Sequence, residues 1–177
     1  CGTKPTEAAA AAEEVTREIG SSDIAYVQVE AVLAQCDLFL NEGKALQEKT
    51  QKAQKSWAQK EQNLQSEAAQ LQEKYQKGLI TTNDAQAQQQ SIEKRVAAYQ
   101  SSAQKEAQAL DEENYVFTNR AQDLLHRAVQ DINADKKYKM IVNSTALIDA
   151  DTTLNITPAV LAKVNELYAA DQKAEKK

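Results

Sequence analysis

The side chains of this sequence that could do chemistry are few, and their spacing assembles no reaction. There is a single histidine, His126, so no second imidazole can share a metal with it or complete an acid–base pair. It falls between Leu124 and Ala128, on the side that a helix of that register turns to solvent. Asp111, Glu112 and Glu113 are the densest acidic run. Consecutive carboxylates fan out around a helix instead of converging, so the run reads as a solvated face. Cys36, one of two cysteines, sits among Val32, Leu33, Leu38, Phe39 and Leu40, the setting of a small buried hydrophobe. There is no glycine-rich phosphate loop and no nucleophile–base constellation. The chain is therefore expected not to be an enzyme, with no catalytic residue, no metal ligand and no cofactor.

The other reactive group is Cys1. Cys1-Gly2-Thr3-Lys4-Pro5, followed by an Ala/Glu-rich stretch, resembles the mature start of a bacterial lipoprotein, whose first cysteine carries the lipid. That resemblance implies acylation of Cys1 and a membrane contact through it. A chain trimmed from a longer one is the alternative. Residues 1–22 have the composition of a flexible tether, and Ala8 to Ala12 is too short to span a bilayer. An acylated Cys1 would leave Cys36 without a disulfide partner.

With so little chemistry to position, the pattern of the elements carries the information. Roughly from residue 44 to 77, apolar or neutral side chains recur at alternating three and four spacing: Leu46, Thr50, Ala53, Trp57, then Leu64, Ala68, Leu71 and Tyr75. After Gly78 the pattern resumes as Ile92, Val96, Tyr99, Ala103, Leu110, Phe117, Ala121, Leu124 and Ala128. A 3.5-residue average sustained this long is a coiled-coil seam. The short break predicts that the helices fold back on each other, an antiparallel hairpin about 60–70 Å long. Its seam residues are Trp57, Leu64, Leu71, Val96, Tyr99, Leu110 and Phe117. Folding about residue 80 sets Trp57 near Ala103 and Leu64 near Val96. Residues 78–82 form the tip, with Gly78 at a left-handed cap and Thr81-Asp84 at capping-box spacing. Leu79 and Ile80 either staple the turn or offer a sticky end.

A small body flanks the arm. Asp23 to Val29 reads as a strand, with β-branched and aromatic residues behind Gly20-Ser21-Ser22. Val32 to Leu40 reads as a short apolar helix, with Gly43 allowing a bend before the arm. Tyr138 to Asn143 is a second strand and Ala146 to Ala150 a third, shorter one. Thr157 caps a last helix, with Pro158 at its first position and Val160, Leu161, Val164, Leu167 and Tyr168 along one face. The predicted fold is α+β: a three-stranded body with the hairpin inserted between strands one and two, and a C-terminal helix. The divisions are a tether at 1–22, a body at 23–43 and 134–170, an arm at 44–133 and a charged tail at 171–177. So small a sheet gains by pairing edge strands between copies.

Charge narrows the partners. The formal net charge is −5, the wrong sign for nucleic acid. From Lys60 to Lys105 the arm carries six basic and five acidic residues, so its outer half is near neutral.

The arrangement resembles the Skp family, the OmpH-like periplasmic chaperones. The carrying segments are Ile24-Ala25-Tyr26-Val27-Gln28-Val29, the hairpin turning at Lys77-Gly78-Leu79-Ile80, and Tyr138-Lys139-Met140-Ile141-Val142-Asn143 running into Ala146-Leu147-Ile148-Asp149. Asn155-Ile156-Thr157-Pro158-Ala159-Val160-Leu161-Ala162-Lys163-Val164-Asn165 is similar to the family's closing block. The resemblance covers roughly residues 22–168. It implies a homotrimer shaped like a jellyfish, an ATP-independent holdase whose arms clasp unfolded outer-membrane proteins in the periplasm. This chain departs from the family in being acidic and in its lipoprotein-like start. The rival expectations are a lipid-anchored tether of the cell envelope, ending in Lys176-Lys177, and an adaptor docking through its tip.

Overall fold

A computed structural model describes residues 23–176. The expected tether at 1–22 and the acylated Cys1 lie outside the described residues. Strand β1 (Ile24–Val27) leads into helix α1 (Val29–Gln35). A π-helical turn, Phe39–Gly43, enters helix α2 (Lys44–Gln76), and helix α3 (Thr82–Ile132) follows. Strand β2 (Met140–Asn143), two 3-10 turns and helix α4 (Thr157–Glu175) complete the order. The chain divides into two compact units. One is Leu38–Gln122; the other holds the described residues through Asp37 and from Asp123 on.

The second of these units is built on β1 and β2, which pair in parallel, Ile24 beside Met140 through Val27 beside Asn143. Two strands that close in sequence pair as a hairpin; these are separated by roughly 110 residues and run the same way, as a long crossover requires. Ala25, Tyr26 and Val27 of β1 are buried, with Val32, Cys36, Leu124, Ala128, Val160, Val164 and Tyr168. Thr157 ties these parts together: its hydroxyl accepts the Gln28 N–H at 2.9 Å and donates to Asn155 Oδ1 at 2.5 Å. Asn165 Oδ1 accepts the Asp37 N–H at 2.8 Å. Arg127 makes a two-pronged contact with Asp171, at 2.5 and 3.3 Å.

The expected third strand at Ala146 to Ala150 does not form. Asn143 Oδ1 takes the Thr145 N–H, and the chain coils into a 3-10 turn at Ser144–Ala146. Asp151 does the same for Thr153. Short polar side chains that satisfy nearby backbone groups compete with a ladder, and Ile148 is left fully exposed. The sheet's third contact is instead a single bridge, Tyr26 to Asn155. The apolar stretch Val32 to Leu40 is not one helix: Cys36 is extended, at ψ 152°, and the chain re-enters helix through the π turn. The last helix begins one residue earlier than expected, with Ile156 at the cap and Thr157 inside. Thr157's hydroxyl is committed to Gln28 and Asn155 instead of its own helix end.

Candidate functional site

The other unit, Leu38–Gln122, holds most of the residues singled out from the sequence, on two long helices. Cross-helix contacts fix their register. Glu42 pairs with Arg120 at 2.6 Å and Lys49 with Glu113 at 2.6 Å. The Trp57 indole N–H donates to Glu106 at 2.6 Å, and Arg95 grips Glu67 with both guanidinium nitrogens. Residue numbers rise on α2 as they fall on α3. The reversal centres on residue 81, one residue beyond the expected fold point, because Lys77 to Thr81 are spent in the turn. Trp57 thus meets Glu106.

Gly78 is the only described glycine at positive φ, 67°. It stands one residue beyond the cap of α2. Its N–H bonds the Tyr75 carbonyl and the Leu79 N–H bonds the Lys74 carbonyl, the Schellman closure that needs a left-handed residue. Across the turn, Thr81 Oγ1 accepts the Asp84 N–H at 3.1 Å and donates to its carboxylate at 2.7 Å. Leu79 is 69% exposed, while Ile80 is half-buried. Nothing lies near a Cβ built on Gly78, so Gly78→Ala is expected to cost only its backbone strain, about 1–2 kcal/mol. Thermal denaturation checks this, and a neutral result would show that the turn relaxes.

The seam is thin. Leu71 and Leu110 are buried, with Ala53, Ile92 and Ala121. Trp57, Leu64, Val96, Tyr99 and Phe117 are half-buried. Polar bonds fill in where apolar contact is lacking: Tyr99 donates its hydroxyl to the Trp57 carbonyl at 3.1 Å. Arg95 holds the Glu67 carboxyl below its usual range, chiefly through their hydrogen bonds. Large apolar groups stand exposed on the two helices and the turns at their ends, among them Leu40, Tyr75, Leu79, Tyr115 and Val116. The clefts beside the seam are open grooves. One near the start of α2 is lined by Ala45, Lys49, Val116 and Phe117; another near the turn by Ala68, Tyr75, Ala85 and Gln89. The first groove also holds the Glu42–Arg120 and Lys49–Glu113 ion pairs, and no three potential metal ligands cluster among the described residues. Such a surface can make many weak contacts.

Sequence reasoning missed two features of this unit. One is the π turn Phe39–Gly43. The other is the reason for Gly43, whose φ of −65° any residue adopts. A Cβ there would lie 2.6 Å from the Phe39 ring and 2.8 Å from the Phe117 ring. The glycine meets a packing requirement. His126 stands exposed in the sheet-bearing unit, beside a small groove with Val27, Val129 and Ile141.

Comparison with known proteins agrees with this geometry. The model of the family "Outer membrane protein (OmpH-like)" matches residues 23–164. No curated protein matches significantly. Among solved structures, a candidate outer membrane chaperone (OmpH-like) from Caulobacter crescentus CB15 aligns with TM-score 0.65 at 17% identity. The alignment covers 81% of this chain and 84% of that one. At that identity the likeness speaks for the fold. No described helix is long and apolar enough to cross a membrane.

Proposed function

The chain belongs to the OmpH-like family, and from that premise we propose that it is a periplasmic chaperone that holds unfolded outer-membrane proteins without nucleotide. The observation that carries the reading is the thin seam of the two-helix unit. Its helices bury few side chains against each other and leave Leu40, Tyr75, Leu79, Tyr115 and Val116 exposed on them and in the turns at their ends. An unfolded chain presents scattered apolar groups of no fixed sequence. Many shallow, replaceable contacts suit it, where a deep pocket would select one ligand. The OmpH-like neighbour is described as an outer membrane chaperone, which favours the same reading.

Self-association belongs to this proposal, with a homotrimer as its form. Among the described residues the sheet has only two strands, too few for independent stability by the usual standard. The outer edge of β2 pairs with nothing among the described residues, and Met140 on it stands exposed. Acylation at Cys1 would add a membrane anchor. Enzymatic activity has no part in the proposal.

The test is refolding of a denatured β-barrel protein without nucleotide, at low and at high salt. Suppressed aggregation at a few-fold molar excess is expected. Because the outer half of the helices is near neutral, capture of the client should depend weakly on salt. No suppression at either salt would leave the envelope tether or adaptor as the better account. Suppression that vanishes at moderate salt would keep the chaperone and reject the neutral-surface argument.

A further inference from the structure

The two sides of the seam differ at the turn end of the Leu38–Gln122 unit. One side carries the Glu67–Arg95 pair and Lys74, with Gln70 and Gln88 beside them. The other is the open groove near the turn. There α2 contributes Ala68, Gln72 and Tyr75, and α3 contributes Ala85, Gln86 and Gln90. The lining holds a single charged group, Glu93, whose carboxylate already takes the Gln89 amide N–H at 3.0 Å. Gln72, Gln86 and Gln90 are exposed, and their amides bond nothing among the described residues.

A glutamine amide is the same kind of group as a peptide unit, offering N–H donors and a carbonyl acceptor. Three in one groove can therefore pair with a backbone whatever side chains it carries. Their spacing suits an extended backbone. Gln86 and Gln90 are one i, i+4 step apart on α3, about 6 Å along the axis. An extended chain turns its N–H and C=O to the same side every second residue, about 6.7 Å. Flexible side chains absorb the difference. The register set by Glu67 with Arg95 and Lys49 with Glu113 puts Gln72 level with Gln90 on the opposite wall. Ala68 and Ala85 each carry only a methyl, so a backbone can come close to the groove between them.

We propose that this groove binds an extended segment of an unfolded chain through its peptide groups, with the amides of Gln72, Gln86 and Gln90 as their partners. The inference rests on the holding of unfolded chains proposed above and names what this groove reads, the backbone that every client shares. The match is one of charge as well as spacing. An uncharged donor–acceptor lining complements uncharged peptide groups, and such contacts carry the weak salt dependence expected above. A second copy is a poor occupant, because the peptide groups of its helices are already bonded to one another.

The test combines Gln72→Leu, Gln86→Leu and Gln90→Leu in the full chain. Leucine is close to glutamine in size and at least as good a helix former, but it removes the amides and adds apolar surface. Binding of a labelled, denatured β-barrel protein is followed by fluorescence anisotropy. Circular dichroism and light scattering check the chaperone alone. The unaltered chain should capture the probe, and the leucine variant should hold it roughly tenfold more weakly, as each lost amide bond removes a modest net gain. Alanine at the same three positions, which adds no large apolar group, should weaken capture likewise. Gln70→Leu with Gln88→Leu, on the ion-paired side, should change it little. If the unaltered chain captures no probe, the chaperone reading falls and this inference with it. Capture by the leucine variant as strong as the unaltered chain's, or stronger, would overturn this inference alone, because apolar contact would then do the holding. A smaller assembly of the alanine variant without any probe would show that the groove seats a second copy, and would also overturn it.

Discussion

Replacing Leu124 by alanine should cost about 2–5 kcal/mol, the usual range for a leucine emptied from a core that cannot collapse around the cavity. Leu124 is 3% exposed and belongs to the unit that holds both strands. Leu64→Ala, in the half-buried seam of the other unit, should cost roughly 1 kcal/mol, because much of that side chain already meets water. Urea denaturation resolves the difference. With m near 1–3 kcal/mol per molar, Leu124→Ala should lower the midpoint by about 1 M or more. Trp57 lies in the two-helix unit and reports that unit by fluorescence, while circular dichroism follows the whole chain. Equal losses at the two positions would mean that the seam is as well packed as the strand-bearing core, contrary to the burial pattern.

Gly43→Ala pits two effects of known sign against each other. Alanine in a helix interior is favoured over glycine by about 1 kcal/mol, and the backbone at φ −65° accepts it. The new methyl, however, would lie 2.6 Å from the Phe39 ring and 2.8 Å from the Phe117 ring. Overpacking of this kind costs about 1–3 kcal/mol, so net destabilisation is expected. Phe117→Leu should be harmful alone and should relieve the clash in combination, giving a favourable coupling in a double-mutant cycle. A more stable Gly43→Ala would show that the rings yield freely.

What could be read from the sequence is what neighbours along the chain decide. The recurrence of Leu46, Ala53, Trp57, Leu64 and Leu71 needs only helical geometry to imply a seam, and Gly78 with Thr81 marks a reversal by local cap chemistry. β1 and β2 were visible as β-branched runs. The π turn was not, nor was the packing at Gly43, which involves Phe117 more than seventy residues away. The missing third strand has a local cause, the side chains of Asn143 and Asp151. The apolar run Ala146-Leu147-Ile148 reads as a strand until those hydrogen bonds are counted. The turn's length, and not the heptad pattern, sets which residues meet, and it moves the fold point by one residue. The functional surface was the least legible part, because weak contacts leave no motif.

The parallel pairing of β1 with β2 also governs the order in which the chain can fold. Taken alone, it closes a loop of roughly 110 residues, and the chain entropy lost grows with the logarithm of that length. The two long helices join by near-neighbour contacts outward from the turn, down to Glu42 and Arg120. Once they have zipped, only the short stretches from Val27 to Glu42 and from Arg120 to Met140 remain free, which lowers the closure cost by about 1 kcal/mol. During synthesis β1 leaves the ribosome first and waits on the order of ten seconds for β2, at typical elongation rates. Through that interval a strand with Ala25, Tyr26 and Val27 destined for burial has no partner, so a protein proposed to shelter unfolded chains passes through a stage at which its own first strand is one.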